Sequence, residues 1–241
     1  ALLSPTLDYA DLRDADLVAC EDTRRTAGLL RHAGSRAPMV PAHEHNEAAR
    51  AADLVRRMHE GARVALVSDA GMPAVSDPGA RIVAAAHDAG LPVTVVPGPS
   101  AVETALVASG LAADRHAFVG FFPRREGELR RLLDALSAWD GAVVGFESPR
   151  RLPALLAVLA DRAPERRVAV CRELTKLHEE VLRGTAAELA ARVTGPVRGE
   201  VTVVLGPVPP AGSDQGALHA GLALMLASGM SPARAAEAVA A

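Results

Sequence analysis

The sequence predicts an α/β fold with parallel and mixed sheets in two domains, followed by a small helical extension. Short β-branched runs alternate with helical patterns, the order typical of parallel α/β layers. Two apolar runs lead directly into glycine- and proline-rich turns. The chain has 241 residues, 49% of them hydrophobic, and so exceeds the commonest domain size of roughly 100–150 residues. We expect α/β domains at 1–112 and 113–208, and a linker with a helical extension at 209–241.

The first half is predicted to alternate strands and helices. The helix at Asn46–Glu60 places Leu54 and Met58 on one face, and Gly61 ends it. Asp77 is placed to cap the next helix. The predicted strands are Ala15–Cys20, Arg63–Val67 and Pro92–Val96, and the predicted helices are Asn46–Glu60, Ala80–Ala89 and Pro99–Ser109.

The second half repeats this alternation, and its last strand is a continuous apolar run typical of a buried strand. The proline-rich stretch Pro207–Gly216 predicts a linker. A helical tail at Ala217–Ala241 follows, with Ser231 as a helix cap. The predicted strands are Phe118–Phe121, Ala142–Phe146, Val168–Cys171 and Glu200–Leu205, and the predicted helices are Gly127–Ala138 and Pro149–Asp161.

Composition excludes several classes of protein. A net charge of −3 gives no global basic field for nucleic acid, and 2% aromatic residues leave few stacking platforms. Positive charge instead gathers in arginine pairs, which suit phosphate or simply solvated helix faces. The two cysteines are far apart and suit a reducing compartment. With no signal segment or membrane span readable, we expect a cytoplasmic protein.

Candidate ligand-binding residues follow the apolar run at 64–67. Ala70 and Gly71 let backbone approach a ligand closely, and Ser68 and Asp69 offer oxygen acceptors. In α/β sheets, ligands bind in the crevice beyond the carboxyl ends of the strands. We therefore assign these four residues to a ligand, and Ser76–Gly79 mainly to the start of the next helix.

A second candidate is the glycine turn Pro97–Ala101, which opens a helix. Exposed N–H groups at such a terminus suit polar or anionic ligand groups, although a plain strand-to-helix turn has the same sequence. Since parallel strands place their following loops at one edge, the two turns together favour a shared pocket.

The segment A-C-E-D-T-R-R-T at 19–26 is a third candidate. Glu21 and Asp22 can bind or deprotonate a substrate, and Arg24 and Arg25 can hold phosphate. The alternative is that Asp22 or Thr23 caps a helix and the arginines are solvated.

The segment H-E-H-N-E at 43–47 is a fourth candidate. His43 and His45 alternate as metal ligands do, but no third ligand lies at a recognised spacing, so we expect no metal. A helix cap by Asn46, or a polar lining of the cleft, is the expectation.

As a set, the motifs resemble one family: the bacterial small-subunit ribosomal RNA methyltransferase I, a ribose 2′-O-methyltransferase within the tetrapyrrole methylase superfamily. They appear in family order over about residues 15–206. The matching stretches are A-D-L-V-A-C-E-D-T-R-R-T, H-E-H-N-E, V-S-D-A-G-M-P-A-V-S-D-P-G, V-P-G-P-S-A, F-V-G-F-F-P-R, F-E-S-P-R-R, R-E-L-T-K-L-H-E-E and G-E-V-T-V-V-L-G.

The resemblance implies a two-domain fold that holds S-adenosylmethionine in the cleft between domains, in a homodimer. It also implies a cytidine of the 16S ribosomal RNA decoding region, in the small ribosomal subunit, as substrate. The cofactor-lining positions it implies are Ser68, Asp69, Ala70, Gly71, Val75, Ser100, Ala101, Phe146, Leu174, Thr175 and Glu200. The family's N-terminal strand and its G-T-P-I-G-N loop are not readable, and we expect that stretch to be absent from the given sequence rather than lost.

Within this resemblance, four residues are candidates for a general base, without a ranking: Glu21, Asp22, His45 and Asp69. As a hypothesis, the arginines after strand ends contact RNA phosphate: Arg24, Arg25, Arg124 and Arg150.

Three alternatives stay open. A tetrapyrrole or diphthamide-type methylase shares the fold and cofactor, although E-D-T-R-R and R-E-L-T-K argue against it. An RNA-binding or ribosome-assembly module without activity would not bind S-adenosylmethionine. A metal-dependent hydrolase built on His43, His45 and Asp69 is the most distant alternative, and insensitivity to chelators would exclude it.

Overall fold

A first sheet of three parallel strands forms the amino-terminal half of the chain. The computed structural model describes residues 9–43, 46–69, 71–137 and 139–208, together with Met230, Ser231 and Arg234. The strands are β1 (Leu17–Cys20), β2 (Met39–Pro41) and β3 (Val64–Val67), in the order β2-β1-β3. The central strand, β1, is buried at all four residues. Because it pairs in parallel with both β2 and β3, the carboxyl ends of all three strands lie at one edge.

Helices cover both faces of this sheet, because successive side chains of β1 point to opposite sides. Leu17 packs with Leu54 and Ile82 on one face, and Val18 packs with Leu30 on the other. The helices are α1 (Ala10–Arg13), α2 (Thr23–Ala33), α3 (Glu47–His59) and α4 (Ala80–Asp88).

A second, five-stranded mixed sheet follows in the chain. β4 and β5 are parallel, whereas β8 lies antiparallel between β5 and β6, and β7 forms an antiparallel edge. The strands are β4 (His116–Phe121), β5 (Ala142–Glu147), β6 (Arg167–Arg172), β7 (Glu180–Thr185) and β8 (Val201–Leu205). The remaining helices are α5 (Ala101–Ser109), α6 (Glu126–Ala135), α7 (Leu152–Arg162) and α8 (Ala186–Arg192).

The helix α5 packs against the second sheet, not the first. Val102, Ala105 and Leu106 are buried against Val144 and Val204, while α6, α7 and α8 cover the opposite face. The helix after the Pro97–Ala101 turn therefore carries that turn to the second sheet. The division of the chain into domains at residue 112 stays a prediction.

One predicted strand is wrong. Residues 92–96 have no regular secondary structure and pair with no strand in the described part of the chain, and Val95 and Val96 are 64% and 47% exposed. Their β-branched pattern favours a strand, but a strand also needs a hydrogen-bonded neighbour. The other predicted strands and helices within residues 15–205 are confirmed to within a few residues, except that the Gly127–Ala138 helix ends earlier, at Ala135.

The linker and tail predicted for Pro207–Gly216 and Ala217–Ala241, with the Ser231 cap, lie almost wholly outside the described residues. Among the helices that are described, none is long and apolar enough to cross a membrane.

Candidate active site

The loop at 68–79 and the turn at 97–101 lie against each other. A Cβ atom built on Gly71 would sit 3.8 Å from the Pro99 carbonyl oxygen, and one built on Gly98 would sit 3.7 Å from the sulfur of Met72. The loop also reaches the second sheet, since a Cβ atom built on Gly120 of β4 would lie 3.7 Å from the Ser76 hydroxyl oxygen. The two predicted pieces of the pocket are therefore neighbours in space.

A cavity of about 570 Å³ opens where these segments meet. Met72 and Val75 line it from the loop, Ser100 from the turn, and Phe118 from β4. Its volume lies within the range of roughly 300–1,000 Å³ typical of small-molecule sites. Val75 and Ser100, both among the implied cofactor positions, thus share one cavity.

The second sheet continues the apolar wall of this cavity. The rings of Phe118 and Phe146 meet edge to face, with centroids 5.0 Å apart. Phe146 and Leu174 pack against the same buried cluster as α5. Phe146 is thus joined to the cavity wall through Phe118, whereas Leu174 shares only the buried cluster, and neither residue lines the cavity itself. Ala101, the first residue of α5, is exposed at the cavity rim.

A network of charged side chains holds the turn after β6. Lys176 Nζ lies 2.9 Å from both Glu173 Oε1 and Glu200 Oε2, and the Glu200 amide donates to Glu173 Oε1 at 2.9 Å. That amide and Lys176 lower the pKa of Glu173. Glu173 and Thr175 have φ values of 50° and 66°, in the left-handed region that side chains disfavour. The network fixes this strained turn, on which Leu174 and Thr175 lie.

The far end of the 68–79 loop is anchored by Glu47. Its Oε1 atom accepts the backbone N–H groups of Gly79 and Arg81, both at 2.8 Å, and the residue is 6% exposed. Gly79 has φ 132°, and a Cβ there would lie 2.7 Å from Leu66 Cδ2, so only glycine fits. The predicted cap by Asp77 is wrong, because the chain turns sharply at Gly79 and the Glu47 carboxylate supplies the acceptor instead.

Carboxylates converge at the carboxyl edge of the first sheet. Burial raises the pKa of Asp77, and the charges of Asp69 and Glu200 add to this, while a hydrogen bond from Ser68 opposes it. Burial also raises the pKa of Glu21, again helped by Asp69 and Asp77. A carboxylate with a raised pKa is a stronger base than an ordinary one.

Asp22 has a different environment. Its Oδ1 atom accepts the Arg24 amide at 2.8 Å and so caps α2, as one of the two alternatives predicted. Hydrogen bonds from the Arg24 side chain and backbone lower the pKa of Asp22 to about 2. Arg25 Nη1 lies 3.3 Å from Asp69 Oδ2 and joins this segment to the 68–79 loop. Asp22 is therefore the weaker base of the pair Glu21 and Asp22.

The candidate phosphate-binding arginines differ in their partners. Arg24 pairs with Asp22 but keeps its side chain 90% exposed. Arg124 and Arg150 are exposed, and neither forms an ion pair with any residue that the structure describes. Their sequence neighbours Arg125 and Arg151 do, with Glu128 at 3.4 Å and buried Glu147 at 2.5 Å. Arg124 and Arg150 thus have guanidinium groups without an ion-pair partner among the described residues.

Two predicted residues, His45 and Ala70, lie outside the described part of the chain. Asn46 occupies the position before α3, but its Oδ1 atom accepts the His43 amide at 2.8 Å rather than a helix N–H. Within residues that are described, no group of three or more His, Cys, Asp or Glu side chains could hold a metal ion.

Three residues of the site were missed from sequence: Glu47, Phe118 and Lys176. Glu47 lies 32 positions from Gly79 in the chain, so no local pattern links them. Lys176 is the only lysine in the chain, and arginine occupies the other Lys/Arg positions. This unusual choice of residue was the one sequence feature that could have pointed to Lys176.

Comparison with known proteins identifies the family. Residues 9–190 match the family model of the Tetrapyrrole (Corrin/Porphyrin) Methylases. The chain belongs to this family. A protein named ribosomal RNA small subunit methyltransferase I from Mycobacterium tuberculosis strain H37Rv is 45% identical over 210 residues, which cover 86% of this chain and 73% of the relative.

Two further relatives carry the same name and place this tetrapyrrole methylase in the methyltransferase I group. The Micromonospora olivasterospora protein is 44% identical, over 85% of this chain and 66% of its own length. The Mesorhizobium japonicum protein is 43% identical, over 94% and 78%. The chain thus spans about two thirds to four fifths of the length of these relatives.

Solved structures share the fold. The methyltransferase CobJ superposes with a TM-score of 0.62 at 19% identity, over 82% of this chain and 85% of that one. Uroporphyrin-III-C-methyltransferase from Thermus thermophilus gives 0.57 at 25%, over 83% and 86%. Diphthine synthase gives 0.59 at 17%, over 82% of each. The predicted α/β fold with parallel and mixed sheets, like that of the tetrapyrrole methylases, is confirmed.

Proposed function

We propose that this chain methylates the ribose 2′-oxygen of a cytidine in small-subunit 16S ribosomal RNA, with S-adenosylmethionine as methyl donor. The observation that carries the proposal is 43–45% identity, over 85–94% of the chain, to proteins named ribosomal RNA small subunit methyltransferase I. Identity to the tetrapyrrole and diphthine enzymes of known structure is only 17–25%. RNA is therefore favoured over a tetrapyrrole substrate.

The residues around the cavity fit S-adenosylmethionine. Val75 and Phe118 offer an apolar surface to an adenine ring, with Phe146 behind Phe118. The N-terminus of α5 borders the cavity at Ser100 without a side-chain cap, and N–H groups at a helix N-terminus suit the methionine carboxylate. Asp69, near the start of the 68–79 loop, supplies negative charge for a sulfonium or an amine. When bound, the cofactor supplies a methyl group already activated by the positive sulfur.

The main task of the protein is then to align the two reactants, which contributes roughly 7–11 kcal/mol to lowering a barrier of this kind. The turn held by Lys176, Glu173 and Glu200 carries Leu174 and Thr175, which we expect to position the cofactor from one side. The 68–79 loop, anchored through Glu47, is expected to position it from the other side. The turn and the loop are both held by hydrogen bonds and ion pairs within the protein, which need no bound substrate.

Glu21 is the general base that the electrostatics favour. The pKa of Asp22 is about 2, and Asp69 is engaged by Arg25. Glu21 is exposed to incoming substrate, and its pKa is raised by partial burial and by Asp69 and Asp77. Glu21 would take the proton of the attacking 2′-hydroxyl, a contribution of about 10²–10⁴-fold in rate.

Arginines that follow strand ends provide the proposed RNA contacts. Arg124 follows β4 and Arg150 follows β5, and since these strands are parallel, both arginines leave the sheet at the same edge. Arg24 and Arg25 lie at the carboxyl end of β1. Guanidinium groups at such positions bind phosphate oxygens in pairs of hydrogen bonds. We also propose a cytoplasmic location and, as the resemblance implies, a homodimer. Sedimentation of the purified protein tests the oligomeric state.

The proposal is tested by methyl transfer from tritiated S-adenosylmethionine onto isolated small subunits and onto free 16S RNA. Calorimetry of S-adenosylmethionine binding runs in parallel. Transfer to either RNA substrate with measurable cofactor binding supports the proposal. RNA binding without cofactor binding would instead indicate an assembly module, and transfer only to a tetrapyrrole would indicate the other branch of the family.

A further inference from the structure

The phenylalanines of this chain are concentrated at one corner of the second sheet. The sequence has four, and all lie on β4, directly after it, or on β5: Phe118, Phe121, Phe122 and Phe146. Phe146 makes edge-to-face contacts with both Phe118 and Phe121, at centroid distances of 5.0 and 5.5 Å. In a chain with 2% aromatic residues, this clustering sets the corner apart.

The end of β4 is shaped so that two adjacent rings point in opposite directions. Gly120 has φ 66°, and the pairing of β4 with β5 shifts register between Phe118 and Phe121. Such irregularities re-aim side chains and are common next to active sites. Phe122 is 1% exposed and packs over Gly145, where a Cβ would lie 2.6 Å from its ring. Phe121 is 59% exposed.

Phe121 is a fixed ring with a free face. Phe146 supports its edge, and the Phe122 amide donates to the Phe146 carbonyl at 3.0 Å, which pins the backbone next to it. Of the phenylalanine and tryptophan rings in the described chain, it alone is mostly exposed. A single exposed apolar residue is ordinary, so its surroundings must decide what it does.

Those surroundings are positively charged. Arg124 lies three residues beyond Phe121, and Arg150 follows the neighbouring strand. Arg151 Nη2 donates to the Phe122 carbonyl at 3.3 Å, which ties the turn carrying Arg150 to the end of β4. An exposed aromatic face, followed in the fold by guanidinium groups that have no ion-pair partner in the described part of the chain, is a combination that suits an unpaired nucleotide, with the base stacked and the phosphates paired.

We propose that Phe121 is the platform on which an unpaired pyrimidine base of the RNA substrate stacks, with Arg124 and Arg150 on the flanking phosphates. The proposal rests on the proposed function and names the residue that positions the substrate. The Phe121 ring, joined to the cavity-lining Phe118 through Phe146, would hold the nucleotide while its ribose faces the reacting groups.

The test compares the wild-type protein with Phe121→Ala, Phe121→Trp and the control Val107→Ala, a residue that is 79% exposed on α5. Affinity for a single-stranded RNA spanning the methylated site is measured by fluorescence anisotropy, and S-adenosylmethionine affinity by calorimetry. Stacking on one base is lost in Phe121→Ala, so RNA affinity should fall about 5- to 100-fold. Cofactor affinity should stay within about twofold.

Phe121→Trp keeps a ring and should retain RNA affinity within about threefold, and Val107→Ala should match the wild type. In methyl transfer, Phe121→Ala should raise KM for RNA and leave KM for the cofactor unchanged. An RNA containing 5-iodocytidine at the target should photocrosslink to Phe121 in the wild-type protein.

If the wild type methylates RNA and Phe121→Ala binds RNA equally well, the stacking inference is overturned and the proposed function stands. If Phe121→Ala changes sedimentation from dimer to monomer with RNA affinity intact, the ring belongs to an interface between copies, and the inference is likewise overturned. If the wild type transfers no methyl to RNA, both fall.

Discussion

Glu47 accepts the backbone N–H of Gly79 at 2.8 Å, from a position buried between two helices. The first residue of α3 thereby caps the start of α4, and the same atom also receives the Arg81 amide. No side chain of the 68–79 loop itself caps that helix. The end of the loop that borders the candidate cofactor cavity is thus held by a residue from another helix.

Replacement of Glu47 by alanine should destabilise the protein by about 2–3 kcal/mol, because the buried N–H group of Gly79 and the partly buried one of Arg81 lose their acceptor. Glu47→Gln keeps an acceptor oxygen and should lose about half as much. Urea unfolding followed by circular dichroism measures both. Glu60→Ala, which removes only an exposed pair with Arg56, should stay within about 0.5 kcal/mol of the wild type. Equal stabilities for Glu47→Ala and Glu60→Ala would show that the buried cap is not needed.

Replacement of Lys176 by methionine should weaken S-adenosylmethionine binding about tenfold, or about 1.4 kcal/mol. The change leaves Glu173 and Glu200 facing each other without their shared cation, so the strained turn that carries Thr175 relaxes. Calorimetry measures the loss, and Lys176→Arg should recover part of it. The matched control is Arg130→Ala, which breaks two ion pairs, one within α6 to Glu126 and one from α6 to Asp161 of α7. If Lys176→Met bound the cofactor as tightly as this control, the network would have no role in the site.

The rate of methyl transfer should rise with pH on the acid side, with an apparent pKa above the ordinary glutamate value. The direction follows because Glu21 acts as a base only when deprotonated, and its folded pKa is raised by burial and by neighbouring carboxylates. Glu21→Gln should remove this limb and lower kcat about 10²–10⁴-fold, with cofactor affinity unchanged. Asp22→Asn is the control and should keep the limb. Loss of the limb in Asp22→Asn alone would assign the base to Asp22.

Replacement of Arg124 and Arg150 by alanine should reduce the salt dependence of RNA binding. Each lost phosphate contact lowers the slope of log affinity against log salt by about 0.7 for a single strand. Arg24→Ala should act in the same way, since its guanidinium is mostly exposed. Arg57→Ala, on α3 and paired with Asp53, is the control. Unchanged affinity and slope in Arg24→Ala would remove that residue from the RNA site.

Strong local patterns allowed much of the fold to be predicted from sequence. The apolar runs that became β1 and β8 are buried at every position, and Gly61 follows α3 as expected. β7 was not predicted because Glu180–Thr185 is a half-polar edge strand. The strand at 92–96 was predicted wrongly because pairing depends on a neighbour that local sequence does not reveal.

Only those parts of the site that are formed by residues close together in the chain could be predicted from sequence. The turns at 68–71 and 97–101 were recognised from their small residues, and the structure places them side by side. The contacts between distant residues were not, as with Glu47 and Gly79, or Lys176 and Glu200. Nor did any pattern show that Phe121 points outwards while Phe122 is buried. Such features depend on how the two sheets and α5 pack together.

The most direct measurement is the identity of the methylated nucleoside. Small subunits lacking the modification are incubated with the protein and S-adenosylmethionine, and the 16S RNA is digested and analysed by mass spectrometry against synthetic standards. We expect 2′-O-methylcytidine at one position of the decoding region, formed about 10²–10⁴-fold more slowly when Glu21→Gln replaces the wild type. A methyl group on a base, on another nucleoside, or on no RNA at all would contradict the proposed activity.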